Sequence, residues 1–127
     1  MLNSRILRAL LALFVAMASS LALAHPKLLS STPGDKSEVA TPATIELDFS
    51  ERLLPDFSAA NLLMTDMPGM AMHAPAKMAF TVTGGADGKT MVIKPAQPLP
   101  VGTYRVEWRA VSADTHRVTG TFTFQVK

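Results

Sequence analysis

The sequence predicts an all-β fold, a Greek-key immunoglobulin-like β-sandwich or barrel of about seven strands. Short segments after residue 24 alternate apolar and polar residues with the period of a half-buried strand. Turn-forming Gly and Pro residues separate these segments, and none of them has the period of a helix. Tyr104 also follows a Gly turn at the start of a segment, as in the tyrosine corner of immunoglobulin-like domains.

The N-terminal segment has the features of an export signal. Arg5 and Arg8 provide positive charge, an apolar run follows, and a small-x-small sequence ends at Ala24. We therefore predict a cleaved signal peptide over residues 1–24 and a single domain over residues 25–127. The apolar run is short for a membrane-spanning helix, which makes a membrane anchor the less favoured alternative.

The charge balance argues against nucleic acid as a partner. The chain has twelve Lys and Arg and ten Asp and Glu residues, and cleavage would remove two of the basic ones. The remaining ten basic and ten acidic residues balance, and no basic patch is interleaved with aromatic residues. The chain has no cysteine, so any soft-metal site in it must use methionine.

Six alternating segments are predicted as strands, and residues 84–88 form a Gly-rich hairpin connection between two of them. The predicted strands are residues 44–49, 61–64, 79–83, 90–94, 103–110 and 118–126. The apolar residues predicted to share their inner faces are Ile45, Leu47, Phe49, Phe80, Val82, Met91, Ile93, Tyr104, Val106, Trp108, Ala110, Phe122, Phe124 and Val126.

Residues 64–78 contain five methionines, Met64, Met67, Met70, Met72 and Met78, together with His73. Two prolines and a glycine lie among them, so we predict that the segment is a loop. Methionines crowded into a loop lack the periodic face of core residues. Thioether sulfur is a soft ligand that suits Cu(I).

A second set of donors is predicted around the new N-terminus. Cleavage after Ala24 would give His25 a free α-amine beside its imidazole, and Pro26 lacks the amide N–H that Cu(II) could displace. Asp114 and His116 are two residues apart, which on extended backbone turns both side chains to one side. Nitrogen and oxygen donors of this kind suit Cu(II).

Each donor set also has an ordinary structural explanation. Asp114 and His116 could be a hydrogen-bonded surface pair, and an N-terminal His25 could be an accident of processing. The methionines could form an apolar surface that contacts a protein partner. All three explanations are less plausible together than separately in an exported domain without cysteine.

Several stretches of the sequence form a combination that is specific to one family. They are His25-Pro26-Lys27-Leu28, Ser30-Ser31-Thr32-Pro33, Leu63-Met64-Thr65, Met67-Pro68-Gly69-Met70, Gly102-Thr103-Tyr104-Arg105-Val106, Trp108-Arg109-Ala110-Val111-Ser112 and Asp114-Thr115-His116. Over nearly the whole of residues 25–127, the chain resembles the CopC/PcoC family of periplasmic copper-resistance proteins of bacteria. The resemblance implies an immunoglobulin-like β-barrel that carries copper without catalysis.

The resemblance also implies roles for individual residues. The implied Cu(II) ligands are His25, Asp114 and His116, and the implied Cu(I) ligands are Met64, Met67, Met70 and Met72, with His73 and Met78 as further candidates. Glu51 matches a position near the Cu(II) site, although a solvated surface carboxylate is its alternative role. Arg117 stands where the family often has Pro, and the spacing from Met70 to His73 and Met78 differs from the commonest pattern.

These features predict a periplasmic carrier that binds Cu(II) and Cu(I) at separate sites. It would pass copper to an inner-membrane copper transporter or to another periplasmic or outer-membrane copper protein. One alternative is a copper monooxygenase with a histidine brace, formed by an N-terminal His and a second His. Another is an interaction domain that binds no metal. A copper-bridged dimer is left open by the sequence.

Overall fold

A computed structural model describes residues 3–6, 8 and 25–127. The rest of the predicted signal peptide, and the cleavage site before His25, lie outside the described residues, so the signal peptide stays a prediction. Within the described part of the chain, no helix has both the length and the apolar character needed to cross a membrane.

Strands account for the regular structure of residues 25–127. Nine of them are found among the described residues: β1 (Leu28–Thr32), β2 (Ser37–Val39), β3 (Ile45–Phe49), β4 (Ala59–Asp66), β5 (Ala76–Lys77), β6 (Phe80–Gly84), β7 (Thr90–Pro95), β8 (Gly102–Val111) and β9 (Arg117–Val126).

The strands form two sheets, which confirms the predicted β-sandwich. One sheet has four strands in the order β1-β3-β7-β6, and the other has five in the order β2-β9-β8-β4-β5. Only β2 pairs in parallel, with the end of β9, while the other strand pairs are antiparallel. All six predicted strands are present, and β1, β2 and β5 are three that the alternating pattern did not reveal.

The core lies between the two sheets and is built from the predicted inner faces. Ile45, Ile93 and Val106 are fully buried, as is nearly every other inward residue of the central strands. The edge strand β6 is the exception, because Val82 remains 39% exposed. An edge strand has a sheet neighbour on one side only, so its side chains receive less cover.

The predicted tyrosine corner is present at the start of β8. Tyr104 is fully buried, and its hydroxyl donates a hydrogen bond to the carbonyl oxygen of Pro100 over 2.5 Å. Burial raises the pKa of this hydroxyl, so it stays protonated as a donor. Its ring stacks on Phe124 with centroids 5.5 Å apart. These contacts fix the start of β8, the strand that connects the two regions of candidate ligands.

Candidate metal centres

The predicted ligands fall into two groups at opposite ends of β8. The β4–β8 register pairs Asp66 with Thr103 at one end and Ala59 with Arg109 at the other. The methionine-rich segment leaves β4 after Asp66, beside the start of β8, whereas the turn that carries His116 follows the end of β8. A ten-residue strand spans about 30 Å, so the two groups are well separated.

The turn between β8 and β9 is tighter than the sequence predicted. The Ser112 amide donates to the carbonyl of His116 over 3.1 Å, and the Thr115 amide donates to the carbonyl of Ser112 over 2.8 Å. Thr115 has a φ of 68°, in the left-handed region. The assumption of extended backbone between Asp114 and His116 is therefore wrong, although the turn still brings the two side chains together.

Asp114 and His116 form a directly bonded pair. The Oδ2 atom of Asp114 lies 2.7 Å from Nδ1 of His116, and Ser112, itself buried, donates its hydroxyl hydrogen to Oδ1 of Asp114. The hydrogen bond from Ser112, followed by that from His116, lowers the pKa of Asp114 to about 2. A carboxylate held at Nδ1 leaves Nε2 of the imidazole as the nitrogen available to a metal.

His25 lies against this pair although it is 91 residues distant in sequence from His116. The two imidazole centroids are 4.4 Å apart, and the rings are inclined at 70°. Ser50, just after β3, holds the N-terminal segment in place: it accepts a hydrogen bond from the Lys27 amide through its hydroxyl (2.9 Å) and donates its own amide to the Lys27 carbonyl (2.9 Å). Pro26 is buried next to them.

The structure thus brings together His25, Asp114 and His116, all three predicted Cu(II) ligands. Across the described residues, no three His, Cys, Asp or Glu side chains are arranged as a metal site by themselves. Glu51 is half-buried and follows Ser50, the residue that anchors this segment.

The methionine-rich segment contains a defined turn at Met67-Pro68-Gly69-Met70. The amide of Met70 donates to the carbonyl of Met67 over 3.1 Å, and Gly69 has a φ of 76°. Proline followed by a glycine of positive φ is the signature of a type II turn. The turn pairs Met67 with Met70, so two of the predicted Cu(I) ligands lie at its two ends.

The loop is shorter than predicted, because strands continue into both of its ends. Residues 64–66 belong to β4 and residues 76–77 form β5, which pairs with β4 through Met64 and Ala76. The amide of Met78 donates to the carbonyl of Leu62 over 2.9 Å. The region outside the sheet is therefore residues 67–75, closed at its base by strand pairing.

The six candidate Cu(I) ligands differ in exposure. Met70 is 61% exposed and His73 is also exposed. Three others, Met67, Met72 and Met78, are half-buried against the edge of the core. Met64 lies inside the core at 3% exposure, and Met67, Met72 and Met78 pack against the same core cluster.

Two residues of the Cu(II) group were missed by sequence reasoning. Ser112 immobilises Asp114, and its position two residues before a turn aspartate is a pattern that could have identified it. Ser50 anchors the segment that carries His25, but it acts over 23 residues of sequence and has no local signature.

Comparison with known proteins shows that this chain is similar to copper-resistance proteins. The model of the CopC domain family matches residues 28–127. A copper resistance protein C of Pseudomonas syringae pv. tomato is 60% identical over 111 residues, covering 87% of each chain. A copper resistance protein C of Escherichia coli is 54% identical over 126 residues, covering 99% of this chain and 98% of the relative.

Solved structures give the same result. A crystal structure of PcoC, a methionine-rich copper resistance protein from Escherichia coli, matches with a TM-score of 0.76 at 56% identity, over 82% of this chain and all of PcoC. The crystal structure of CopC from Methylosinus trichosporium OB3b matches with a TM-score of 0.69 at 27% identity, over 81% of this chain and 94% of that chain.

Proposed function

This chain belongs to the CopC family, and on that basis we propose that it is an exported copper-binding protein that serves copper resistance and homeostasis. Copper is its cargo, bound as Cu(II) at the N-terminus and as Cu(I) in the methionine loop. The observation that carries the proposal is the contact of His25 with His116 beside Asp114, because it joins predicted ligands from opposite ends of the domain sequence.

For Cu(II), we propose three nitrogen donors: the α-amine and imidazole of a processed His25, and Nε2 of His116. Both oxygens of Asp114 are already engaged, one by Ser112 and one by His116. Direct ligation by Asp114, as predicted from the sequence, requires one oxygen to be shared between the metal and its present partner. In the geometry described, its carboxylate orients the His116 ring and raises the basicity of that ligand.

For Cu(I), we propose that the ligands come from Met64, Met67, Met70 and Met72, with His73 and Met78 as further candidates. Five of these six candidates are thioethers, and the sixth, His73, directly follows Met72 in the sequence. Soft sulfur favours Cu(I), whereas the nitrogen-rich set around His116 favours Cu(II). A separation of about 30 Å along β8 lets each set keep its preferred oxidation state.

The proposed carrier passes its copper to an inner-membrane transporter or to another copper protein of the periplasm or outer membrane. Half-exposed ligands support this role, since an acceptor can reach them without the sandwich unfolding. The side chains of His116 and Asp114 are 37% and 31% exposed. The protein needs no catalytic residue for this function.

The two-site proposal is tested by changing one site and titrating both oxidation states. Replacing Met67, Met70 and Met72 with Leu should abolish Cu(I) binding and leave Cu(II) binding intact, because Leu keeps the apolar volume but lacks sulfur. The matched control is Met91→Leu, which changes a core methionine that is 2% exposed and should alter neither titration. Loss of both copper forms in the triple variant would show that the sites are not independent.

The paired histidines favour one second candidate, a copper monooxygenase that uses them as a histidine brace. Such an enzyme would consume ascorbate and peroxide while cleaving a polysaccharide. Copper-loaded protein should show no such cleavage above the rate of free copper.

An interaction domain that binds no metal is the other alternative, and metal analysis of protein purified from copper-fed cells distinguishes it. A copper carrier should be purified with bound copper, whereas such an interaction domain should contain none.

A further inference from the structure

A groove of about 420 Å³ lies beside the proposed Cu(II) site, on the outer face of the five-stranded sheet. We call it the arginine groove. Its walls combine apolar side chains with two arginines and one hydroxyl. The lining residues are Leu54, Phe57, Arg109, Val111, Thr115 and Arg117.

The β8–β9 register explains why the two arginines meet there. Val111 pairs with Arg117, and Arg109 pairs with Thr119, so the two arginines are diagonal neighbours on the exposed face of the sheet. Diagonal neighbours of this kind are within reach of each other when their side chains are long. Two like charges are thus placed at one end of the sheet.

The opposite wall is the segment between β3 and β4, which crosses the end of β8. The amide of Leu54 donates to the carbonyl of Val111 over 2.8 Å, and the amide of Val111 donates to the hydroxyl of Ser58 over 3.1 Å. Nε of Arg109 donates to the carbonyl of Phe57 over 3.0 Å. The wall is therefore tied to the sheet by one backbone hydrogen bond and two hydrogen bonds from or to side chains, and it is already formed before any partner binds.

The groove presents unneutralised charge next to exposed apolar surface. The ion pairs found among residues 25–127 involve other basic side chains, and neither Arg109 nor Arg117 has a carboxylate within ion-pair distance. Phe57 is 61% exposed beside them. Exposed aromatic surface rimmed by charge is typical of a protein-binding site.

We propose that the arginine groove docks an acidic segment of a partner protein, with a large apolar side chain of that segment covering Phe57. Carboxylates match the fork geometry of two guanidinium groups, and the apolar side chain accounts for the surface that a small anion would leave exposed. The inference that this partner is the protein that exchanges Cu(II) rests on the proposed function. The inference that the groove binds an acidic segment does not depend on that function.

The position of the groove supports exchange at the copper site. Thr115 and Arg117 line the groove and are the two chain neighbours of His116. A segment seated in the groove therefore lies beside the imidazole that we propose as a copper ligand. The positive charge of the groove, added to that of bound Cu(II), steers an acidic acceptor to this end of the domain.

Nuclear magnetic resonance of the ¹⁵N-labelled, copper-free protein tests the groove directly. The probe is the acetylated and amidated peptide Asp-Glu-Phe-Glu-Asp, and its neutral counterpart Asn-Gln-Phe-Gln-Asn is the control. The acidic peptide should shift the amide signals of residues 54, 56–58, 109–111 and 115–117. Replacing both Arg109 and Arg117 with Glu should weaken binding by about tenfold or more, because it sets like charges against the peptide.

Matched controls separate a local effect from a change in net charge. Replacing Lys77 and Lys94, both exposed and on other strands, with Glu changes the net charge equally and should leave peptide binding at the groove intact. The double arginine variant should still bind Cu(II) with unchanged stoichiometry, since neither arginine is a proposed ligand. If the protein binds the acidic peptide but does not bind Cu(II), the proposed copper function is refuted and the docking proposal stands.

Other outcomes would overturn the docking proposal. Equal binding of the neutral peptide would show that charge does not select the partner, and signal shifts away from the groove would place the contact elsewhere. Binding to vesicles of anionic phospholipid without binding to the peptide would identify a membrane surface. Concentration-dependent dimerisation that is lost in the double arginine variant would identify a second copy of this chain as the occupant.

Discussion

Replacement of Gly120 by Ala tests how the sandwich is packed near the proposed Cu(II) site. Gly120 pairs with Trp108 across β8 and β9, and its missing side chain leaves room for the indole. A Cβ atom there would overlap Cζ2 of Trp108 and lie 2.7 Å from Cε2. The indole has little room to move, because Trp108 is 7% exposed and packs edge-on against Phe49 at 5.2 Å.

Overpacking of this kind costs about 1–3 kcal/mol of unfolding free energy. In a domain of roughly 100 residues, each kcal/mol corresponds to a fall in Tm of about 4–8 °C. A cost of about 2 kcal/mol therefore lowers Tm by about 8–16 °C. Thermal unfolding followed by circular dichroism and by the fluorescence of the single tryptophan measures the shift in two independent ways.

The matched control for this prediction is Gly84→Ala on the edge strand β6. A Cβ at Gly84 would meet nothing within 4 Å, so its effect should stay within about 0.5 kcal/mol. If the two variants melt at the same temperature, the close approach of β9 to the indole is not a feature of the folded protein.

Three further predictions concern single side chains. Tyr104→Phe removes the hydroxyl that donates to a carbonyl four residues earlier, and should cost about 1 kcal/mol in chemical denaturation. Asp87→Ala should lower Tm at neutral pH, because the Lys89 amide leads the hydrogen bonds that hold the pKa of Asp87 below its ordinary value of 3.8. That stabilisation is present above pH 3.8 and is lost as pH falls through the lowered pKa, so melts of the two proteins should converge in acid. Asp114→Asn keeps the shape of a carboxylate whose pKa is about 2 but removes its charge, and should weaken Cu(II) binding by about ten- to hundredfold while a Cu(I) titration stays unchanged.

The central strands were predictable because burial on one face imposes alternation on their sequence. β3 and β8 each bury every second residue over most of their length, and this pattern is visible without a structure. β1 is largely exposed at a sheet edge, and β2 has only three residues. Neither carries an alternating apolar pattern, because pairing with β3 or β9, rather than burial, defines these strands.

At the candidate sites, the proximity of particular side chains could be predicted from the sequence, whereas the backbone conformation that produces it could not. Spacing correctly associated Asp114 with His116, but the positive φ of Thr115 means that a turn, and not extended backbone, brings them together. The strand predicted over residues 61–64 continues to Asp66, and the side chain of Met64 is buried at the start of the loop, so its role as a Cu(I) ligand stays a prediction.

Contacts between distant parts of the chain were beyond local sequence patterns. The anchoring of the His25 segment by Ser50 depends on the way β1 pairs with β3. The arginine groove likewise depends on the β8–β9 register and on the segment that crosses it. The sequence predicts candidate copper ligands, and the strand register determines which of them meet.

The most direct test of the proposed Cu(II) site is a titration of two forms of the protein that differ by one residue. One form begins at His25, and the other keeps Ala24 before it and so has no free amine on His25. Loss of a group that only hydrogen-bonds to a metal ligand weakens metal binding by about ten- to hundredfold. The longer form loses a ligand itself, so its affinity for Cu(II) should fall by more than this. Its affinity for Cu(I) should not change. Equal Cu(II) affinity of the two forms would contradict a metal site built on the processed N-terminus.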